Sequence, residues 1–155
     1  MPGLLLGAGT ILTVLAAEAY AEAGADFLVS PVAAADVHSW CQQHEVPFIP
    51  GVMTATELVA ATSRGASLVK LFPAADLGPG YLRHILGPLP DSRIMVTGGI
   101  RADRQEIRSW LEAGASAVGV GSDLVPSGKL SSSRLRQLTA SCQELLEAVA
   151  AVRAG

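Results

Sequence analysis

The sequence predicts an α/β fold built from repeated parallel βα units, and three observations carry that prediction. The first is a recurring segment. Ala23-Gly24-Ala25-Asp26 leads into Phe27-Leu28-Val29-Ser30-Pro31, Arg64-Gly65-Ala66-Ser67 into Leu68-Val69-Lys70-Leu71-Phe72-Pro73, and Ala113-Gly114-Ala115-Ser116 into Ala117-Val118-Gly119-Val120-Gly121. Each reads as a helix end, a glycine just past it, and a short buried strand. The second is spacing. Strands beginning near Leu4, Asp26, Pro47, Ser67, Arg93 and Ser116 lie 20 to 26 residues apart, the length of a βα unit with short loops. The third is a missing fingerprint. No Gly-x-Gly-x-x-Gly opens a helix near the start, so a dinucleotide-binding sheet lacks its marker. Together these point to a TIM (β/α)8-type barrel. A full barrel takes eight units, and this chain offers about six parallel βα units and a C-terminal helix. The expectation is a partial barrel forming a single domain over residues 1–155.

Helical patterns fill the gaps at about 12–23, 35–44, 56–64, 79–86 and 103–113. Thr54 and Asp103 are the expected N-caps, which would set Glu57 and Glu106 in first turns, where a negative charge meets the positive helix end. A longer closing helix is expected over about 131–151, amphipathic through Leu135, Leu138, Leu145, Leu146 and Val149.

Composition narrows the function classes. Half of the 155 residues are hydrophobic and 16% are charged, which describes a globular chain. The net charge of −3 gives no case for nucleic acid. Residues 1–63 hold six acids and no base, whereas the remainder sets eleven bases against eight acids. A cationic second half suits an anionic ligand. Cys41 and Cys142 are isolated and read as reduced thiols. His38, His44 and His84 lack metal-ligand spacing and read as surface or helix-end residues. The apolar opening Leu4–Leu12 has no preceding base, so it is not read as a signal peptide. No apolar run is long enough to span a membrane. A cytoplasmic protein is expected.

Chemistry concentrates on two stretches. Lys70 is one of only two lysines, against nine arginines, and sits in an apolar, β-branched run. Burial of an ammonium is costly and lowers its pKa, and a neutral amine is what imine chemistry needs. The bland alternative is a strand-end lysine snorkelling to solvent. Strand alternation places Leu68, Lys70 and Phe72 on one face and Val69 and Leu71 on the other. The second stretch is a pair of glycine-rich strand ends, Thr97-Gly98-Gly99-Ile100 and Gly119-Val120-Gly121-Ser122. Glycines let backbone N–H groups approach a phosphate, and the loops after the last two strands of a βα barrel are the usual phosphate site. The bland reading is two tight turns.

Gly7-Ala8-Gly9-Thr10, Ser30-Pro31, Pro50-Gly51, Val69-Lys70-Leu71-Phe72-Pro73-Ala74, Thr97-Gly98-Gly99-Ile100 and Gly121-Ser122, in this order and spacing, resemble the 2-keto-3-deoxy-6-phosphogluconate (KDPG) / 4-hydroxy-2-oxoglutarate aldolase family over residues 4–126. The resemblance implies a class I aldolase on a (β/α)8 barrel, a homotrimer that needs no metal or cofactor. Such an enzyme splits a 2-keto-4-hydroxy acid, including phosphorylated sugar acids, into pyruvate and an aldehyde. It implies that Lys70 forms the imine, that Thr10 and Thr97 hold the pyruvyl end, that Pro31 and Phe72 shape the pocket, and that Gly98, Gly99 and Ser122 bind phosphate. The sequence also departs from the pattern. The family's general-base glutamate and a carboxylate-binding arginine lie before the Gly-Ala-Gly-Thr segment and have no counterpart here. The chain therefore reads as lacking the family's N-terminal two βα units. Ala75 stands where members often carry an acid, and Asp76 follows it. Two alternatives stay open: a reduced barrel fragment that binds a phosphorylated acid or a partner chain, and another phosphate-binding barrel enzyme, such as one resembling thiamine phosphate synthase, in which Lys70 is only structural.

Overall fold

A computed structural model describes residues 3–125 and 131–154; Lys129 lies outside the described residues. The chain divides into two compact units, Met1–Phe72 and Pro73–Gly155.

In the first unit the strands are β1 (Gly7–Ala8), β2 (Phe27–Val29), β3 (Phe48–Ile49), β4 (Gly51–Val52) and β5 (Val69–Leu71), and the helices are α1 (Val14–Glu22), α2 (Ala35–Gln43) and α3 (Ala55–Ser63). β1, β2 and β3 pair in parallel in that order, with Gly7 opposite Phe27 and Leu28 opposite Phe48. β4 pairs in parallel with β5, with Gly51 opposite Lys70. The third expected strand is thus split at Pro50, whose ring leaves no N–H for the ladder. Ile11, Ala17, Leu28, Val37, Cys41 and Phe48 form one buried cluster.

Local chemistry explains the helix limits. The Thr13 side chain accepts from Ala16 N at the start of α1. Thr54 and Glu57 form a complete capping box at the start of α3, satisfying two otherwise orphaned donors. The ends repeat: Ala25 N donates to Tyr20 O and Ala66 N to Ala61 O, each just after a glycine with φ near +90°. In the second unit Ala115 N does the same to Trp110 O, after Gly114. These are the bonds of the helix-ending turn that the recurring segment predicts.

The second unit contains α4 (Ala74–Leu86), β6 (Ile94–Thr97), α5 (Arg104–Glu112), β7 (Ala117–Gly119) and α6 (Ser132–Arg153). β6 and β7 pair in parallel, with Thr97 opposite Gly119. Asp103 Oδ1 caps α5 by accepting from Glu106 N at 2.9 Å.

Three further expectations change. The helix expected over 79–86 begins earlier, at Ala74, because a first turn precedes a kink at Gly78 (φ 77°, ψ 163°), and Pro79 then starts the second stretch. His38 is not a surface residue. It is 5% exposed on the buried face of α2, beside Val37 and Cys41, with its ring 5.6 Å from that of Phe48. His44 and His84 are exposed near helix ends, as read. The stripe on α6 is only partly used: Leu138, Leu145 and Val149 are partly buried, while Leu135 and Leu146 are 47% and 68% exposed. Small residues on α6 line a cleft shared with α5, and the bulky leucines fall outside that contact.

Candidate active site

In a parallel βα fold, side chains and loop amides converge at the C-terminal ends of the strands. The expected site residues lie at those ends: Thr10, Pro31, Lys70 and Phe72 in the first unit, and Thr97, Gly98, Gly99 and Ser122 in the second.

In the first unit, β5 buries Val69 and Leu71 completely and leaves Lys70 half-buried on the opposite face. Its backbone is fixed by Lys70 N donating to Pro50 O at 2.8 Å and Phe72 N donating to Val52 O at 3.1 Å. Two residues on, Phe72 projects from the same face, and Lys70 Nζ stands 4.4 Å from the centre of its ring. Burial pulls the Lys70 pKa below the ordinary 10.5 by stripping water from the ammonium. The ring face acts in the opposite sense, since its quadrupole attracts the cation. The result is a half-buried lysine whose amine stands against an aromatic face.

Around it the neighbouring strand ends are tightly made. Thr10 has φ +60°, a conformation that a β-branched residue adopts only under strain. Ile11 N then returns to Val29 O at 3.1 Å. Ser30 is fully buried, and its hydroxyl accepts from Val32 N. A Cβ at Gly51 would run into the Pro31 backbone, so the Pro31 and Gly51 strand ends meet at a spacing only glycine permits.

In the second unit, Thr97 ends β6. Its methyl group lies against Gly119, 2.6 Å from where a Cβ there would sit. Its Oγ1 is buried with no hydrogen-bond partner, a rare condition that signals a group available to a ligand or water. Gly98 and Gly99 follow with φ +93° and +76°. Gly98 O accepts from Ala75 N at 3.0 Å, and a Cβ on Gly99 would sit 2.7 Å from Ala75 Cβ. In the next loop, Gly121 O accepts from Leu124 N and Val125 N, leaving Ser122 exposed at the turn. Arg101 pairs with Glu106 at 2.7 Å and faces the α5 side.

Two features escaped the sequence reading. The strain at Thr10 has no sequence signal. Asp123 Oδ2 accepts the Ala102 N–H at 2.6 Å, joining the loops after β6 and β7. The only hint is an acid directly after a Gly-Ser turn. Asp76 is exposed in the first turn of α4. Among the described residues no group of histidines, cysteines and acids is arranged to hold a metal.

A model of the family "KDPG and KHG aldolase" matches residues 1–141. A "2-dehydro-3-deoxy-phosphogluconate aldolase" of Treponema pallidum is 37% identical over 147 residues, covering 94% of this chain and 69% of the relative. A solved structure titled "Native KDPGal structure" superposes with TM-score 0.82 at 31% identity, over 94% of this chain and 70% of that one. A Legionella pneumophila KDPG aldolase, solved with pyruvate captured as a covalent carbinolamine intermediate, superposes with TM-score 0.74 at 31% identity, over 97% and 69%. The fold class is therefore α/β of TIM-barrel type. The family match sets aside the reading of a different barrel enzyme resembling thiamine phosphate synthase.

Proposed function

Because the chain belongs to the KDPG and KHG aldolase family, we propose that it is a class I aldolase that forms an imine through Lys70. The substrate is a 2-keto-4-hydroxy acid, 2-keto-3-deoxy-6-phosphogluconate or 4-hydroxy-2-oxoglutarate, and the products are pyruvate and an aldehyde. The observation that carries this reading is the half-buried Lys70 on β5, desolvated and held over Phe72.

The neutral amine adds to the C2 carbonyl to give a carbinolamine, which loses water. The resulting iminium accepts the electron pair of the C3–C4 bond as the 4-hydroxyl loses its proton and the aldehyde departs. Protonation of the enamine and hydrolysis then release pyruvate and Lys70. Thr10 and Thr97 hold the pyruvyl end, and Pro31 and Phe72 wall the pocket. Gly98, Gly99 and Ser122 bind the phosphate of a phosphorylated substrate. The unpartnered Thr97 Oγ1 and the positive φ of both glycines support these roles. Residues 1–155 work as one aldolase-type domain in a cytoplasmic homotrimer, without metal or cofactor. Among the described residues no helix is long and apolar enough to cross a membrane.

The test is borohydride reduction in the presence of pyruvate, followed by intact-mass and peptide mass spectrometry, with Lys70→Ala as control. A reduced pyruvyl adduct on Lys70 is expected. An unmodified, folded chain contradicts the assignment.

A further inference from the structure

We infer that Asp123 is a positioning residue for phosphate: its carboxylate fixes the spacing of the two loops whose backbone amides meet the anion. The inference rests on the proposed phosphate-binding role of those loops and adds to it a residue that touches no substrate.

The geometry is a closed frame. At one end, β6 and β7 are held in register with Thr97 opposite Gly119. Beyond that point the ladder stops, and the two loops leave their strands. They are joined again where Ala102 N donates to Asp123 Oδ2 at 2.6 Å. Gly98, Gly99, Gly121 and Ser122 all lie on the chain between these two ties. Gly98 is anchored separately through its carbonyl to Ala75 N. A loop held only at its strand end would be free to splay, and amide donors gain their advantage from being fixed before the anion arrives. The short N–H to carboxylate bond is of the charge-assisted kind, stronger than a neutral pair.

The sign of the charge argues for geometry. A carboxylate beside an anion site repels the anion, and the nearby Arg101 guanidinium is already paired with Glu106. Asp123 therefore helps binding through where it holds Ala102, not through its charge. That separates two substitutions. Asp123→Asn keeps an acceptor oxygen and removes the charge, whereas Asp123→Ala removes the tie.

The experiment measures inorganic phosphate binding by titration calorimetry on the full chain, alongside pyruvate trapping at Lys70 and the thermal midpoint. Asp123→Ala is expected to weaken phosphate binding about tenfold while pyruvate trapping stays unchanged. Asp123→Asn is expected to bind phosphate as well as the parent chain or better. Should Asp123→Ala fail to fold, Asp123→Ser, whose hydroxyl is too short to reach Ala102, takes its place with the same expectation. Equal phosphate affinity in the parent and the Ala or Ser variant overturns the inference alone. A parallel fall in phosphate binding, trapping and thermal midpoint also overturns it, assigning Asp123 a purely structural role. A parent chain that binds no phosphate refutes the phosphate-loop reading itself, and the inference with it.

Discussion

At the residue scale the decisive group is Lys70. Its two neighbours on β5 are sealed in the core, so the strand direction leaves its side chain one way to point, toward Phe72. Desolvation lowers the pKa of a base by disfavouring its charged form. The reactive species is the neutral amine, whose fraction rises as pH passes upward through the folded-state pKa. Because that pKa lies below 10.5, the initial rate of pyruvate trapping should climb with pH and level off below the range of an ordinary lysine. A rate that rises only around 10.5 would show a solvated side chain. His38 illustrates the opposite lesson. It too is desolvated, with Arg64 adding repulsion, and both lower its pKa, yet it sits inside an apolar helix face against Phe48. A shifted histidine there belongs to packing, not to chemistry.

At the scale of elements, the short loops after the strands do most to define the site. The strands themselves are two to four residues long, and the site-bearing ones give way to turns of small residues locked by backbone bonds. Gly99 is the sharpest case. Its φ of +76° lies where an L side chain is strained, and Ala75 Cβ occupies the space a new methyl would need. Gly99→Ala should therefore lower stability by at least ~1–2 kcal/mol from the left-handed conformation alone, measured by urea unfolding. Phosphate affinity should fall with it, because the Gly98–Gly99 amides must move to relieve the contact. Unchanged stability would mean that the loop re-forms without cost and that its shape is not set by glycine.

For the whole molecule, exposed apolar surface is the main fact. Leu4, Leu5, Leu6 and Leu12 are open to solvent in the first unit, and Leu15 on α1 is 76% exposed. Exposed leucines of this number are what a surface covered by further protein would present. The proposed homotrimer predicts that light scattering on the size-exclusion peak gives about three times the single-chain mass. A monodisperse monomer at micromolar concentration would count against it. The chain spans 69% of the Treponema pallidum relative it matches.

By itself the sequence determined the parallel βα repeat, the Thr54 and Asp103 caps, the two glycine loops and the singular lysine. Each of these is written in local spacing: a glycine past a helix end, a threonine three residues before a glutamate, a charge amid β-branched neighbours. The family resemblance came from the same short motifs at strand ends. Other features depended on tertiary structure. The break of the third strand at Pro50, the early start of α4 before the Gly78 kink, the burial of His38 and the exposure of Leu135 and Leu146 depend on which neighbour each segment meets, and no local pattern records that. The left-handed Thr10, the unpartnered Thr97 Oγ1 and the Asp123–Ala102 bond belong to the same class. They arise where segments distant in sequence are forced into register, because only the folded chain brings those groups within hydrogen-bonding distance or denies them a partner.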